Sequence, residues 1–119
     1  MKPILAVTMG DPAGIGPEIV VRALSHKDTY EKCRPIVTGD AAVMQEAVSR
    51  LGYDFKINAV ERISDAKFEH GTIDVYDLHC VDMSTFRFGE VQAQCGNAAF
   101  VSIKKAIELA MDNEVDGTV

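Results

Sequence analysis

Ile4-Leu5-Ala6-Val7 is an unbroken apolar run near the start of the chain, the pattern of a strand buried on both faces of a parallel sheet. A glycine- and proline-rich segment follows, and then Ile19, Val20, Ala23 and Leu24 recur at helical spacing, with Pro17 suited to the first turn. Pro35-Ile36-Val37-Thr38 predicts a second short strand closed by Gly39. Asp40 is placed to cap a helix on which Met44, Ala47, Val48 and Leu51 share one face, and Gly52 is placed to end it. Tyr53, Phe55 and Ile57 alternate with Asp54, Lys56 and Asn58, predicting a half-buried strand nearer a sheet edge.

Ile73, Val75 and Leu78 predict a further strand, entered through His70-Gly71, and the stretch from Leu78 to about Gln92 reads as a loop. From Asn97 to Met111 a long helix is expected, with Phe100, Ile103, Ile107 and Met111 on one stripe and Lys104, Lys105 and Glu108 largely away from it. Val115-Asp116-Gly117-Thr118-Val119 enters another strand. The order β-α-β-α-β…β-α-β predicts an α/β fold, a mostly parallel sheet with crossover helices. Residues 1–119 hold no repeat, low-complexity linker or internal domain boundary. A strand only begun at the last residues leads us to expect a truncated piece of a larger protein.

Composition narrows the function classes. With 119 residues and 47% hydrophobic content the chain can bury one core. A net charge of −6 argues against a nucleic-acid partner, which would call for a basic patch. No apolar run approaches the ~20 residues of a membrane span, and the opening Met1-Lys2-Pro3 lacks the pattern of a signal peptide. Cys33, Cys80 and Cys95 are widely separated and suit reduced thiols. A cytoplasmic location is expected.

The candidate chemistry lies in Thr8-Met9-Gly10-Asp11-Pro12-Ala13-Gly14-Ile15-Gly16-Pro17-Glu18-Ile19. This segment joins a strand's C-terminal end to a helix N-terminus, where open α/β sheets bind ligands. Its glycines permit positive φ and close approach of backbone to a ligand, and its prolines restrict it. The order Gly10-x-x-x-Gly14-x-Gly16 is neither the dinucleotide fingerprint G-x-G-x-x-G nor a P-loop. A plain βα turn and a ligand-lining loop both remain open on these grounds. Asp11 suits the loop tip, where it would accept bonds from neighbouring N–H groups, and Glu18 suits the helix dipole.

Other candidates carry less. A zinc site from His79, Cys80 and Asp82 would need a contorted loop and a fourth ligand. Cys95 has no general base near it in sequence, and a small buried residue is expected there. Lys104 and Lys105 suit a solvated helix face, Arg22 and Arg34 suit surface positions, and Phe86-Arg87-Phe88 suits local packing.

The string Met9-Gly10-Asp11-Pro12-Ala13-Gly14-Ile15-Gly16-Pro17-Glu18 resembles the opening of the 4-hydroxythreonine-4-phosphate dehydrogenase (PdxA) family. Isocitrate and isopropylmalate dehydrogenases carry a shorter relative of it, ending in Gly-Ile-Gly-Pro-Glu. Gly89-Glu90-Val91-Gln92-Ala93-Gln94-Cys95-Gly96-Asn97-Ala98-Ala99 is similar to the family's segment leading into a long helix, and residues 103–119 to its approach to the next strand. The resemblance runs along the whole chain. It implies the N-terminal part of a two-domain, isocitrate/isopropylmalate dehydrogenase-like enzyme whose cleft a homodimer partner completes.

The implied reaction belongs to pyridoxine biosynthesis or a related route. A phosphorylated hydroxy acid such as 4-hydroxythreonine 4-phosphate, or D-threonate or D-erythronate 4-phosphate, is oxidised by NAD with decarboxylation. A divalent metal acts as Lewis acid in both steps. The family's metal-binding histidines and its phosphate-binding basic residues come after the point matching Val119, so His26, His70 and His79 inherit no metal role. By itself the chain is expected to be inactive. Gly10, Asp11, Gly14 and Gly16 are expected to line the cofactor side of the cleft, with no catalytic group among them. The alternative is a non-catalytic α/β module that binds an anion or nucleotide at the 10–18 loop; a third reading is an interaction-only domain with an exposed sheet edge.

Overall fold

The computed structural model describes residues 2–90 and 92–119. Five parallel strands form one sheet in the order β3-β4-β2-β1-β5. They are β1 (Ile4–Thr8), β2 (Arg34–Gly39), β3 (Lys56–Val60), β4 (Thr72–Asp77) and β5 (Gly117–Thr118). The helices are α1 (Gly16–Leu24), α2 (Lys27–Lys32), α3 (Ala41–Leu51) and α4 (Ala93–Met111). The β1 and β2 registers align residue for residue, Ile4 with Arg34 through Thr8 with Thr38. An all-parallel sheet needs cover on both faces, and the alternation of side chains along β2 shows how it gets it. Val37 packs with Val20, Val21, Leu24, Val43, Met44, Val48, Ile73 and Val75 beneath α1 and α3. Its neighbour Ile36 packs with Ala6, Val60, Ala106, Leu109 and Val115 beneath α4.

The predicted α/β fold with its parallel sheet is present, and β3 is an edge strand as its alternation implied. The differences are local. The strand expected from Tyr53 begins at Lys56, because Tyr53 and Phe55 stack on each other at 5.0 Å between centroids before pairing starts. The helix expected from Asn97 begins at Ala93. Helix α2 carries no apolar periodicity, only the buried Tyr30, and so left no pattern to read. A 3-10 turn at Ile63–Asp65 was likewise unsignalled.

The apolar stripe of α4 does not mark its buried face. Its sheet-facing side is Cys95, Ala98, Ser102, Ala106 and Leu109, small residues that let the helix lie close to the strands. The stripe of Phe100, Ile103, Ile107 and Met111 points away from the sheet and is exposed.

Two buried carboxylates organise the connections. Asp74, 1% exposed, accepts from Asn58 Nδ2 at 2.8 Å and from the backbone N–H groups of Lys67 and Phe68 at 3.0 and 2.8 Å, which pins the β3–β4 connection to β4. Asp40 caps α3 as the sequence predicted: its Oδ1 accepts from Ala42 N and Val43 N. Its Oδ2 accepts from Val81 N at 3.0 Å, so the same carboxylate also holds the chain leaving β4. Gly52, at φ +76°, ends α3 in the left-handed conformation the sequence called for. Asp40→Ala should cost about 2–3 kcal/mol in urea unfolding, because it orphans three N–H groups. Asp40→Asn should cost about half as much, since an amide still caps α3 but its nitrogen cannot accept from Val81.

Candidate functional site

Because every strand runs the same way, all the connections leaving strand C-termini meet at one edge of the sheet. The glycine loop after β1, the Asp40 cap after β2, Glu61 and Arg62 after β3, and Asp77 to Asp82 after β4 share that edge. It is where an open α/β sheet binds ligands.

Met9 anchors the loop. It is fully buried; its N–H donates to Thr38 O at 3.0 Å, and its Sδ lies 3.5 Å from Asp40 N. Two glycines exist to accommodate it. A Cβ on Gly16 would sit 2.5 Å from the Met9 carbonyl oxygen, and one on Gly39 would sit 2.6 Å from Met9 Cβ. Gly10 has φ +78°, a conformation that favours glycine. Gly14 meets only ordinary contacts with Asp11, so nothing within the chain demands a glycine there.

At the exposed tip, Asp11 Oδ1 accepts from Ala13 N at 2.9 Å and its carbonyl accepts from Gly14 N at 3.0 Å. The predicted local role of Asp11 is present. It has a consequence for anions, since two loop amides are already bonded and Pro12 and Pro17 have none to offer. Asp11 and Glu18 add negative charge. The exposed carboxylate suits a hydroxyl donor.

A second segment braces the loop. Gly89 N donates to Ala13 O at 2.9 Å, and the Arg50 guanidinium lies 4.2 Å from the Phe88 ring centroid and 3.9 Å from Glu18 Oε1. These residues with Gly14 and Ile15 border a hollow of about 260 Å³. Sequence reading gave Phe88 a packing role and Glu18 a dipole role; it missed Arg50, whose position on α3 carried no signal. Phe86 is buried against Phe88, edge to face at 4.7 Å. Val91, within the second quoted motif, lies outside the described residues.

The remaining candidates do not gather into a second site. His79 Nδ1 lies 3.4 Å from Asp77 Oδ2 beside a hollow of about 510 Å³ shared with Glu61, Arg62 and Asp65, away from the glycine loop. Asp82 binds Ser84 rather than converging with His79 and Cys80. Among the described residues no three His, Cys, Asp or Glu side chains come together as metal ligands. Cys95 is buried, and burial together with nearby Asp11 raises its thiol pKa, opposite to what a nucleophile needs.

Burial, followed by Asp40, pushes the Cys80 thiol up to about 11 from 9.0. Its contribution to stability is therefore present below pH 9.0 and fades as pH rises toward 11. Alkylation of Cys80 at pH 8 should run about 10-fold slower than that of a free cysteine, by mass spectrometry, the loss of thiolate being partly offset by its greater nucleophilicity. Gly16→Ala should cost about 2–3 kcal/mol in urea unfolding, and Gly14→Ala less than ~0.5 kcal/mol.

Comparison with known proteins supplies the relationship. The family model described as "Pyridoxal phosphate biosynthetic protein PdxA" matches residues 31–119. A Symbiobacterium thermophilum protein named as a D-threonate 4-phosphate dehydrogenase is 47% identical over 115 residues, 97% of this chain and 34% of that protein. The solved structure of a 4-hydroxythreonine-4-phosphate dehydrogenase from Burkholderia phymatum superimposes with a TM-score of 0.95 at 41% identity, covering 99% of this chain and 36% of that one. A terephthalate 1,2-cis-dihydrodiol dehydrogenase from Burkholderia xenovorans superimposes at 0.75 with 27% identity, covering 99% of this chain and 33% of that one. The chain spans about a third of the length of the relatives it matches. With the model match running over most of its length, the chain belongs to the PdxA family.

Proposed function

We propose that this chain is the N-terminal part of an NAD- and divalent-metal-dependent dehydrogenase. Its substrate would be a small phosphorylated hydroxy acid, D-threonate 4-phosphate or 4-hydroxythreonine 4-phosphate, and its working form a homodimer in the cytoplasm. The observation that carries this reading is the 47% identity, over nearly the whole chain, to a protein named for D-threonate 4-phosphate. No helix of the described residues is long and apolar enough to cross a membrane.

The geometry supports the part this chain would play. Gly10, Asp11, Gly14 and Gly16 form one wall of the cleft, held by Met9 from behind and by the Phe88–Arg50 clasp from the side. Gly14 is exposed at the tip, and Asp11 is the group there able to accept a bond from a ligand hydroxyl such as that of a ribose. The described residues do not fit the metal, whose ligands we assign to the remainder of the longer protein. When bound, NAD accepts the hydride and the metal polarises the substrate oxygen. This third of the protein orients and excludes water. The rival reading, an anion-binding module at residues 10–18, has less support, because two of the loop's amides are already bonded and the Asp11 carboxylate is exposed at its tip.

The test is to graft residues 1–119 into the Symbiobacterium relative in place of its own counterpart. NADH production should then depend on a divalent metal and on a 4-phosphorylated hydroxy acid, while the 119-residue chain alone should give none. Asp11→Asn in the graft should raise KM for NAD about 5-fold with kcat little changed, the size of one lost hydrogen bond. Metal-dependent turnover by the chain alone would overturn the assignment of the ligands elsewhere.

A further inference from the structure

Helix α4 is apolar on two opposite sides. One side, Cys95, Ala98, Ser102, Ala106 and Leu109, lies on the sheet. The other carries Phe100, Ile103, Ile107 and Met111, which are 62%, 48%, 49% and 77% exposed. A helix apolar on both sides is the middle of three layers rather than the outer skin of two. Phe100, Ile103 and Ile107, with Lys104 and Glu108 at the rim, already border a shallow groove of about 370 Å³.

We infer that this outer face of α4 seats an amphipathic helix from the part of the full-length family protein that this chain does not span. The inference rests on the reading of the chain as part of that longer enzyme. Three observations favour the protein's own later segment over a second copy. The first is length: the match to the B. phymatum dehydrogenase covers 99% of this chain but 36% of that one, so a long stretch of the polypeptide lies outside this third and is available to cover the face.

The second is area. Four partly exposed side chains offer roughly 400 Å², half of the ~800 Å² each partner contributes to a standard interface. That is enough for one helix joined covalently to the rest of the fold, and little for two free subunits. The third is an apolar hollow of about 320 Å³ beside the sheet-edge strand β5, bordered by Val7, Ile19, Val20, Ala23 and Val119 and reaching Gly10 and Gly16 of the glycine loop. It lies on the α1 side of the sheet, opposite α4. A single two-fold contact through α4 would leave it open, whereas a continuing chain can cover both. The seated helix should carry apolar residues spaced three and four apart, with an acidic group facing Lys104 and a basic group facing Glu108.

The graft described above tests this directly. A photoreactive p-benzoylphenylalanine replaces Phe100 in one version and Ile107 in a second, with a control at the exposed Asp28. Irradiation should give, at 100 and 107 but not at 28, a cross-link that runs at single-chain mass on a denaturing gel. Peptide mapping should place its other end in the segment beyond the graft. A band at twice that mass would overturn the inference in favour of a second copy, and labelling no higher than at position 28 would overturn it in favour of a free surface. Activity is read separately: a correct cross-link without NADH production refutes the proposed reaction alone, and NADH production without the cross-link refutes the packing alone.

Discussion

Met9 is the point on which the site end of this molecule turns. Burying its side chain contributes about 2–3 kcal/mol, but its importance is geometric. It fills the space a side chain on β2 would occupy at Gly39, and its carbonyl fills the space a side chain on α1 would occupy at Gly16. One residue therefore sets how closely the start of α1 approaches the ends of β1 and β2. Its amide continues the β1–β2 ladder through Thr38, and its sulfur reaches Asp40 N. The loop that follows has little freedom left, because the residue before it is clamped between two strands and a helix.

Asp40 extends the same logic sideways. A carboxylate that caps α3 and also holds Val81 ties the β2 and β4 ends together, and Gly89 then returns the 82–90 segment to Ala13 in the glycine loop. The edge of the sheet becomes a ring of short contacts around a wall in which the Ala13 and Gly14 amides are turned inward on Asp11. Such a wall is rigid and mildly acidic, suited to positioning a neutral part of a ligand rather than to neutralising phosphate. The proposed division of labour follows: charge-binding groups in the remainder of the longer protein, shape in this third.

Much of the fold was legible because its signals are local. The apolar runs of β1 and β2, the Asp40 cap, the Gly52 stop and the edge character of β3 each follow from neighbouring residues and hold in three dimensions. Helix α2 and the 3-10 turn were not legible, since neither carries an apolar rhythm. The stripe on α4 was read correctly as a stripe. Its direction was not readable, because small residues such as Ala98, Ser102 and Ala106 define a buried face by allowing close approach, not by being strongly apolar.

By itself the sequence determined the order of the strands and the three longer helices, the parallel sheet and the position of a glycine loop at a strand end, all consequences of periodicity, capping and turn chemistry. Its motifs also marked the family. Tertiary structure alone decided what each glycine is for. Gly16 answers to Met9, Gly10 to a positive φ, and Gly14 to nothing within the chain. It alone brought Arg50, Phe88 and Glu18 together across three segments, and it alone showed which side of α4 is spoken for. The reason is the same in each case: these are contacts between residues far apart in the chain, and spacing along a sequence carries no measure of distance across a sheet.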